Sequence, residues 1–248
     1  MRIVYFGFDL FADCFEALLE NDNVEVMALY TFKTDNVFEF NNRVVALAES
    51  RNIPVHYEKI IQDDILKYLD NGLDFTVSAG YIYKIPVPDD KRFRGINVHP
   101  ALLPIGRGAW PYPVTILKGL KESGVTIHKI TNRFDEGDIL LQEGFNVTPT
   151  DTLDTLTKKS QKLAKEMITK VVNNFCELWR NAAPQTEGEY WQEPTDIDRT
   201  ISGDMDYETA EKTIRAFGSF GVIYNGKTYR GKGTPIKVKL KDREIYLK

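Results

Sequence analysis

The sequence predicts an α/β fold with a mostly parallel sheet, followed by a small β-hairpin region near its C-terminal end. Residues 2–7 and 24–31 are typical of buried strands, and residues 9–19 between them place apolar side chains at helical spacing. This β-α-β order favours a nucleotide-type fold, in which parallel strands are joined by a right-handed crossover. Near the other end, Asn225 and Gly226 form a turn signal between two short β-like runs, which predicts a hairpin.

The stretches between these two ends continue the alternation of strands and helices. Further helices are predicted over 39–52, 63–70, 112–119 and 207–217, and a long helix follows N-cap candidates at 148–152 and ends near Arg180. Further strands are predicted over 53–57, 74–80, 125–131, 235–240 and 244–247. We therefore predict a larger domain over residues 1–182 and a C-terminal segment over residues 183–248.

Length and composition are those of an ordinary globular protein, with 248 residues of which 42% are hydrophobic. The formal net charge is −4, and we interpret the lysines and arginines as spread through the chain. Nucleic acid is therefore not expected as a partner, because its binding usually needs a positive surface. Cys14 and Cys176 lie far apart, which suits a reducing compartment. Without a signal peptide or a long apolar span, the chain is expected to be cytoplasmic and not to contact membranes.

Two common kinds of site are disfavoured. The turn after the first strand reads G-F-D-L-F-A, and it lacks the second and third glycines with which a dinucleotide-binding loop approaches a pyrophosphate. The three histidines, His56, His99 and His128, stand outside any C-x-x-C or H-E-x-x-H pattern, so no metal site is predicted. His128 could enter a site from its strand, although a strand histidine is more often structural.

The stretch G-I-N-V-H-P-A-L-L-P-I-G-R-G-A-W-P, residues 95–111, holds the clearest chemical pattern. Asn97 and His99 project from the same side of a strand end, roughly 6.5 to 7 Å apart. An Asn amide can donate to a developing oxyanion, and a His can move a proton near neutral pH. Asp135, in the later turn F-D-E-G-D-I-L, offers a carboxylate to orient the imidazole. Because no Ser or Cys nucleophile accompanies them, the attacking group would come from the substrate, for example an amine.

Each of these residues also has a purely structural interpretation. Asn97 can cap a turn, His99 can be a satisfied strand-end histidine, and Asp135 can form an Asx-turn before Gly137. The combination favours catalysis. The string N-V-H-P-A-L-L-P, followed by R-G-A-W-P and F-D-E-G-D-I-L, resembles the family of formyltransferases that use N10-formyltetrahydrofolate.

This resemblance implies a Rossmann-like formyltransferase domain with a mixed, mostly parallel sheet and a catalytic trio of Asn97, His99 and Asp135. It also implies N10-formyltetrahydrofolate as the co-substrate, without a metal. Residues 81–88, Y-I-Y-K-I-P-V-P, resemble the folate loop of the family, which places Ile82, Tyr83 and Ile85 near the cofactor, together with Asp135. A hydrophobic edge of the core is the alternative interpretation of this loop.

The tail, with its Tyr-Trp loop and R-A-containing helix, is similar to that of nucleotide-sugar N-formyltransferases. This similarity implies formyl transfer to a dTDP-linked amino-dideoxyhexose for a surface polysaccharide such as the O-antigen of lipopolysaccharide, with dTDP-4-amino-4,6-dideoxyglucose as the favoured acceptor. The sequence leaves open the sugar isomer, the position of the amine at C-3 or C-4, and the choice between thymine and uracil. The substrate contacts would be Arg107, Tyr190, Trp191 and Arg215. Core packing for the aromatic pair and a surface salt bridge for Arg215 are the structural alternatives.

Two further predictions concern assembly and alternative functions. The C-terminal β region is expected to form the contact of a homodimer, because a small β appendage is marginally stable alone. A methionyl-tRNA or ribonucleotide formyltransferase remains an alternative to the sugar enzyme. A non-catalytic nucleotide-sugar binding module is the alternative from another functional class.

Overall fold

The centre of the fold is a seven-stranded sheet, seen in a computed structural model that describes residues 1–35 and 39–248. The first eight strands of the chain span Arg2–Gly7, Glu25–Tyr30, Val55–His56, Phe75–Ala79, Gly95–His99, Ile105–Arg107, Glu122–Lys129 and Ile139–Asn146, and are labelled β1 to β8. The order across the sheet is β3-β2-β1-β4-β5-β7-β8, while β6 pairs elsewhere.

The sheet is mostly parallel, as the sequence predicts. β1 runs parallel to both of its neighbours, β2 and β4, and β3 and β5 extend the parallel part on either side. β7 then pairs with β5 in the antiparallel direction. The predicted α/β fold with a mixed, mostly parallel sheet is therefore confirmed.

Helices cover the sheet and also build the C-terminal part of the chain. The α-helices of the described residues span Ala12–Leu19, Asn42–Ser50, Gln62–Asp70, Pro111–Leu117, Leu153–Asn173, Phe175–Arg180 and Tyr207–Phe217, and are labelled α1 to α7. A short 3-10 turn over Asp9–Phe11 precedes α1. In the described ranges, no helix combines the length and the apolar character needed to cross a membrane.

Two of the departures from the predicted helix bounds illustrate local hydrogen bonding and backbone geometry. The helix predicted over 39–52 begins only at Asn42, where the Asp9 carboxylate accepts hydrogen bonds from Arg43 N at 3.0 Å and Val44 N at 2.9 Å. This carboxylate satisfies free N–H groups of the first turn. The long helix predicted to end near Arg180 is interrupted at Asn174, whose side-chain Nδ2 donates to Lys170 O at 3.0 Å. The backbone of Asn174 itself leaves the helical region, with φ −124° and ψ 24°.

The core alternates across strand β1, which is buried from Ile3 to Gly7. Ile3 and Tyr5 belong to an apolar cluster shared with α1, α2 and α5, whereas Val4 and Phe6 belong to a second cluster shared with α3. Successive side chains of a strand point to opposite faces of the sheet, so an unbroken apolar run buries both faces at once. This explains why residues 2–7 read as a continuous apolar stretch.

The chain divides into two compact units. The first contains residues 1–107, 124–144 and 160–189, and it holds the sheet. The second contains residues 108–123, 145–159 and 190–248. Its own core includes Ile116, Phe217, Val222 and Val238. Each unit is built from non-contiguous segments, so the division between the units differs from a single boundary at residue 183. The roles predicted for residues 1–182 and 183–248 stay predictions.

The C-terminal hairpins are present as predicted. After the two-residue strand Glu189–Tyr190, β9, the strands β10 to β13 span Val222–Tyr224, Lys227–Tyr229, Ile236–Lys239 and Glu244–Leu247. β10 pairs with β11 and β12 with β13, both antiparallel. Asn225 and Gly226 have φ values of +47° and +73°, which a two-residue hairpin turn of this kind requires.

Candidate active site

The end of β5 presents the two residues with the clearest catalytic chemistry. Asn97 and His99 lie two positions apart on β5 and share one face of the sheet. The antiparallel register places Asn97 opposite His128 and His99 opposite Thr126 of β7. Directly opposed residues of an antiparallel pair have neighbouring side chains on one face. Four polar side chains therefore meet on this part of the sheet.

Asp135 reaches the same place from the turn that follows β7. Its Oδ1 lies 3.5 Å from His99 Nδ1, 3.4 Å from His128 Nε2 and 3.4 Å from Asn97 Nδ2. Its backbone is left-handed, with φ +55°, a conformation that Asp and Asn adopt more readily than most residues. The three residues predicted as a catalytic trio are thus brought together around one carboxylate oxygen.

The His99 ring lies between two oxygen atoms, the Gly106 carbonyl oxygen and Asp135 Oδ1. Its Nε2 lies 2.7 Å from Gly106 O, so in the neutral ring this nitrogen carries the hydrogen and Nδ1, facing Asp135, holds the lone pair. Burial lowers the pKa of His99 below its usual value of 6.5, although the Asp135 carboxylate acts in the opposite direction. Near neutral pH the ring is therefore uncharged and able to accept a proton at Nδ1.

His128 joins the site as a fourth residue, which the sequence left undecided. Its Nδ1–H donates to Lys129 O at 2.9 Å, so its Nε2 is the acceptor for Asn97 Nδ2 at 3.2 Å. This bond fixes the orientation of the Asn97 amide. The second Asn97 N–H makes a longer contact, 3.4 Å, with Asp135 Oδ1. The signal that would identify His128 is its cross-strand position opposite Asn97, which requires the sheet register.

Side-chain hydrogen bonds hold the loop that follows His99. Thr126 Oγ1 donates to Ala101 O at 2.6 Å and accepts from Leu103 N at 3.2 Å. Gln142 Nε2 also donates to Leu103 O at 2.7 Å. Because Thr126 stands opposite His99, the strand that supports the imidazole also supports the loop containing its acceptor, Gly106.

The predicted folate loop begins beside the trio. The loop follows β4, whose last residue Ala79 is paired in parallel with Val98 of β5. The loop therefore begins close to the C-terminal end of β5, where His99 lies. Ile82 is 49% exposed, Tyr83 packs edge-on against Phe32, and Ile85 is 5% exposed within a core cluster. An exposed apolar side chain beside an aromatic ring suits a flat heterocycle. The cofactor contacts stay predictions.

The four predicted substrate residues have different surroundings. Arg107 is 7% exposed and donates through Nε and Nη2 to Gln185 Oε1 at 3.2 and 2.9 Å. Tyr190 is 44% exposed, whereas Trp191 is 6% exposed and its backbone oxygen lies against Gly108. Arg215 pairs with Glu211 at 2.6 Å and donates to Asp151 O at 3.0 Å. Their proposed contacts with substrate stay predictions.

Within residues 1–35 and 39–248, no group of three or more His, Cys, Asp or Glu side chains is arranged to hold a metal ion. The site offers instead a neutral imidazole, an amide and a carboxylate, which together suit proton transfer and oxyanion stabilisation.

Several curated relatives of this chain are methionyl-tRNA formyltransferases. Those of Ehrlichia canis (strain Jake) and Rickettsia bellii (strain RML369-C) are 35% and 31% identical over 189 and 186 residues, covering 72% of this chain and 62% and 61% of theirs. That of Ehrlichia ruminantium (strain Gardel) is 30% identical over 243 residues, covering 93% of this chain and 78% of its own. The chain thus spans about 62% of the length of the first of these relatives.

Solved structures share the fold at low sequence identity. HypX from Aquifex aeolicus, in complex with tetrahydrofolic acid, has a TM-score of 0.72 and 16% identity, covering 100% of this chain and 43% of its own. WlaRD, a sugar 3N-formyl transferase, has a TM-score of 0.70 and 18% identity, covering 100% and 93%. A 4-N formyltransferase from Francisella tularensis has a TM-score of 0.71 and 21% identity, covering 92% and 94%.

The predicted acceptor, a dTDP-linked amino sugar, is wrong, because the curated relatives named above are methionyl-tRNA formyltransferases. The expectation rested on a Tyr-Trp pair and an Arg-Ala pair in the tail. Trp191 is buried, and Arg215 is held by Glu211 and the Asp151 backbone, so both residues have structural reasons to be present. Short patterns of this kind do not identify an acceptor.

Family membership follows from the sequence itself. The sequence model of the family described as formyl transferase matches residues 1–172, a stretch that includes Asn97, His99, His128 and Asp135. The mixed, mostly parallel sheet agrees with that match. The chain belongs to the formyl transferase family.

Proposed function

We propose that this enzyme transfers a formyl group from N10-formyltetrahydrofolate to a primary amine, and that the amine is the α-amino group of methionyl-tRNA. The observation that supports the reaction is the convergence of Asn97, His99 and Asp135 without a Ser or Cys nucleophile among them. The observation that supports the acceptor is the name shared by the relatives at 30–35% identity. We place this reaction in the cytoplasm.

The chain's own residues supply proton transfer and charge stabilisation. The folate donor, when bound, supplies a formyl carbon activated by its bond to N10. The amine nitrogen forms a bond to that carbon, and the bond from carbon to N10 breaks. His99 Nδ1 accepts the proton that the amine loses and returns it to the departing N10. The charged ring is then paired with Asp135, 3.5 Å away.

Asn97 is suited to hold the oxyanion of the tetrahedral intermediate. One of its N–H groups is held by His128 at 3.2 Å, which fixes the plane of the amide. The other makes the 3.4 Å contact with Asp135 Oδ1, and a shorter bond to an oxyanion would replace this long contact. A donor fixed before the reaction costs no reorganisation when charge develops.

The basic residues of this chain are concentrated near its C-terminal end, so the net negative charge of the whole chain does not argue against tRNA binding. Residues 227–248 contain eight Lys and Arg against two Asp and Glu, which gives a formal charge of +6. Because the whole chain has a net charge of −4, the remaining residues together carry −10. All eight basic residues are exposed. The expectation that basic residues are evenly spread therefore does not hold for this tail. Phosphate backbones bind such surfaces through salt-dependent electrostatics.

The test is a direct comparison of acceptors. The enzyme would be incubated with N10-formyltetrahydrofolate and either methionyl-tRNA or a panel of free amines, and mass spectrometry would detect the gain of one formyl group. We expect formylmethionyl-tRNA as the main product. Formylation of free amines but not of methionyl-tRNA would refute the acceptor, and the absence of any formylated product with a bound donor would refute the reaction.

We further propose that the C-terminal β region forms a homodimer contact. Tyr246 on β13 is 61% exposed and faces outward, while its neighbours Ile245 and Leu247 are buried. Light scattering on a size-exclusion column should give a dimer for the unmodified chain and a monomer for Tyr246→Lys. A monomeric unmodified chain would refute this contact.

A further inference from the structure

We propose that Arg107 and Gln185 act together as a positioning pair, which sets the Asp135 carboxylate relative to the His99 ring. This inference rests on the proposed formyl transfer, because positioning matters only for a site in which these two groups act together. Neither residue needs to touch the reacting atoms.

Gln185 holds the Asp135 turn by its backbone. Its Nε2 donates to Asp135 O at 2.9 Å and to Gly137 O at 2.7 Å, so both hydrogens of one amide are used on two carbonyls of the same turn. The turn between these carbonyls contains the left-handed Asp135. An amide with two carbonyl acceptors fixes how this turn is oriented, and therefore where the Asp135 side chain begins.

Arg107 connects the same amide to the acceptor of His99. Its Nε and Nη2 donate to Gln185 Oε1, and Nη2 also donates to Thr186 O at 3.1 Å. The preceding residue, Gly106, supplies the carbonyl that accepts from His99 Nε2 at 2.7 Å. One Arg–Gln pair therefore joins the backbone that holds the imidazole to the backbone that holds the carboxylate.

The proposed chemistry depends strongly on the distance between the Asp135 carboxylate and the His99 ring. The three contacts of Asp135 Oδ1 are 3.4 to 3.5 Å long, so they have little tolerance for further lengthening. A displacement of about 1 Å can cost on the order of a hundredfold in rate. A residue that controls this displacement affects turnover more than binding.

The backbone around Gln185 is held independently of its side chain. Ile139 N donates to Ala183 O at 2.7 Å, and Ala183 N donates to Ile139 O at 2.9 Å. Replacement of the Gln185 amide should therefore leave the segment in place. This makes substitution at position 185 a test of positioning that does not depend on local unfolding.

Gln185→Glu is the first variant. Glutamate keeps the shape and remains an acceptor for Arg107, but an ionised carboxylate cannot donate to the two carbonyls of the turn. We expect kcat to fall at least tenfold, with an unchanged KM for the amine and an unchanged melting temperature. The matched control is Gln161→Glu, which removes a similar amide-to-carbonyl bond, to Leu10 O at 2.8 Å, and should keep the unmodified kcat.

Gln185→Met is the second variant, and its readout is independent of activity. The pKa of His99 would be measured by NMR on labelled imidazole. The groups that face this ring are the Asp135 carboxylate, the His128 ring and the Gly106 carbonyl. If Asp135 moves away, the pKa of His99 should fall by about 1 unit or more, because a nearby carboxylate raises it by that order.

Arg107→Lys separates positioning from substrate binding. A lysine keeps the charge but lacks the fork that reaches Gln185 and Thr186 together. Positioning predicts a lower kcat at constant KM, whereas a substrate contact predicts a raised KM for the amine. The proposal is overturned if Gln185→Met leaves the His99 pKa unchanged, or if the Gln185→Glu loss of kcat only follows a loss of melting temperature. If the unmodified enzyme is folded but transfers no formyl group, this result would instead count against the proposed function.

Discussion

Asp135→Asn is the substitution that most directly tests the proposed chemistry. The variant keeps the size of the side chain, and Asn tolerates the φ of +55° at this position, so the turn should persist. It removes the negative charge 3.5 Å from His99 Nδ1. The new amide can also donate to the Nδ1 lone pair, which would hold the ring in its neutral form.

The magnitude follows from the separation of the two groups. For unit charges 3.5 Å apart, an effective dielectric constant of about 20 gives an attraction of about 5 kcal/mol. If about half of the imidazolium charge has developed in the transition state, the loss is about 2 to 3 kcal/mol, or on the order of a hundredfold in rate. The pKa of His99 should also fall, because the carboxylate that raises it is gone.

The assay is single-turnover formyl transfer at saturating donor, so that product release does not mask the chemical step. Asp138→Asn is the matched control, because it removes a carboxylate of the same loop whose partner is Lys129 Nζ at 2.9 Å on a partly exposed surface. The control should change the rate by less than about threefold, as expected for a surface ion pair. A rate for Asp135→Asn within threefold of the unmodified enzyme would refute the role of the carboxylate.

Three other predictions use different readouts. Asn97→Ala should lower kcat on the order of a hundredfold, about 3 kcal/mol, through loss of an oxyanion donor, with little change in donor affinity measured by calorimetry. Because burial holds the pKa of His99 below its usual value of 6.5, the free energy of unfolding should decline as the pH falls below 6.5, since the unfolded state binds the proton more readily than the folded state; a denaturation series in which this decline is just as large for His99→Gln would contradict this. Lys237→Glu combined with Lys239→Glu should weaken tRNA binding and reduce its salt dependence while leaving donor binding intact. An unchanged salt dependence in a filter-binding assay would contradict the proposal that residues 227–248 bind tRNA.

The sequence predicted the parts of the site that depend on local spacing. Asn97 and His99 lie two residues apart in one strand, so their common face follows from strand geometry alone. Asp135 was identified by its turn chemistry and by family resemblance. The hairpin at Asn225 and Gly226 was likewise predictable, because the turn type requires these residues.

The parts that depend on pairing between distant segments were not predicted. His128 enters the site because β7 lies antiparallel beside β5 in a particular register, and a shift of one residue would turn it to the other face. Gln185 lies 50 residues beyond Asp135 in sequence, and its role depends on where the chain returns after α6. The basic tail was missed for a different reason, because a charge averaged over the whole chain conceals an excess confined to residues 227–248.

The antiparallel strand β7 also explains why residue 137, two positions after Asp135, is a glycine. Ile130 N donates to Gly95 O at 2.7 Å, so the chain leaves β7 at the end of β5 that is far from His99 and must fold back. It does so against Lys129, where a Cβ on Gly137 would lie 1.9 Å from Lys129 O. Any side chain at 137 would push the turn outward and draw the Asp135 carboxylate away from the imidazole. Gly137→Ala should therefore reduce the formylation rate as severely as Asp135→Asn, although it removes no functional group, and an active Gly137→Ala enzyme would show that the carboxylate does not need its observed position.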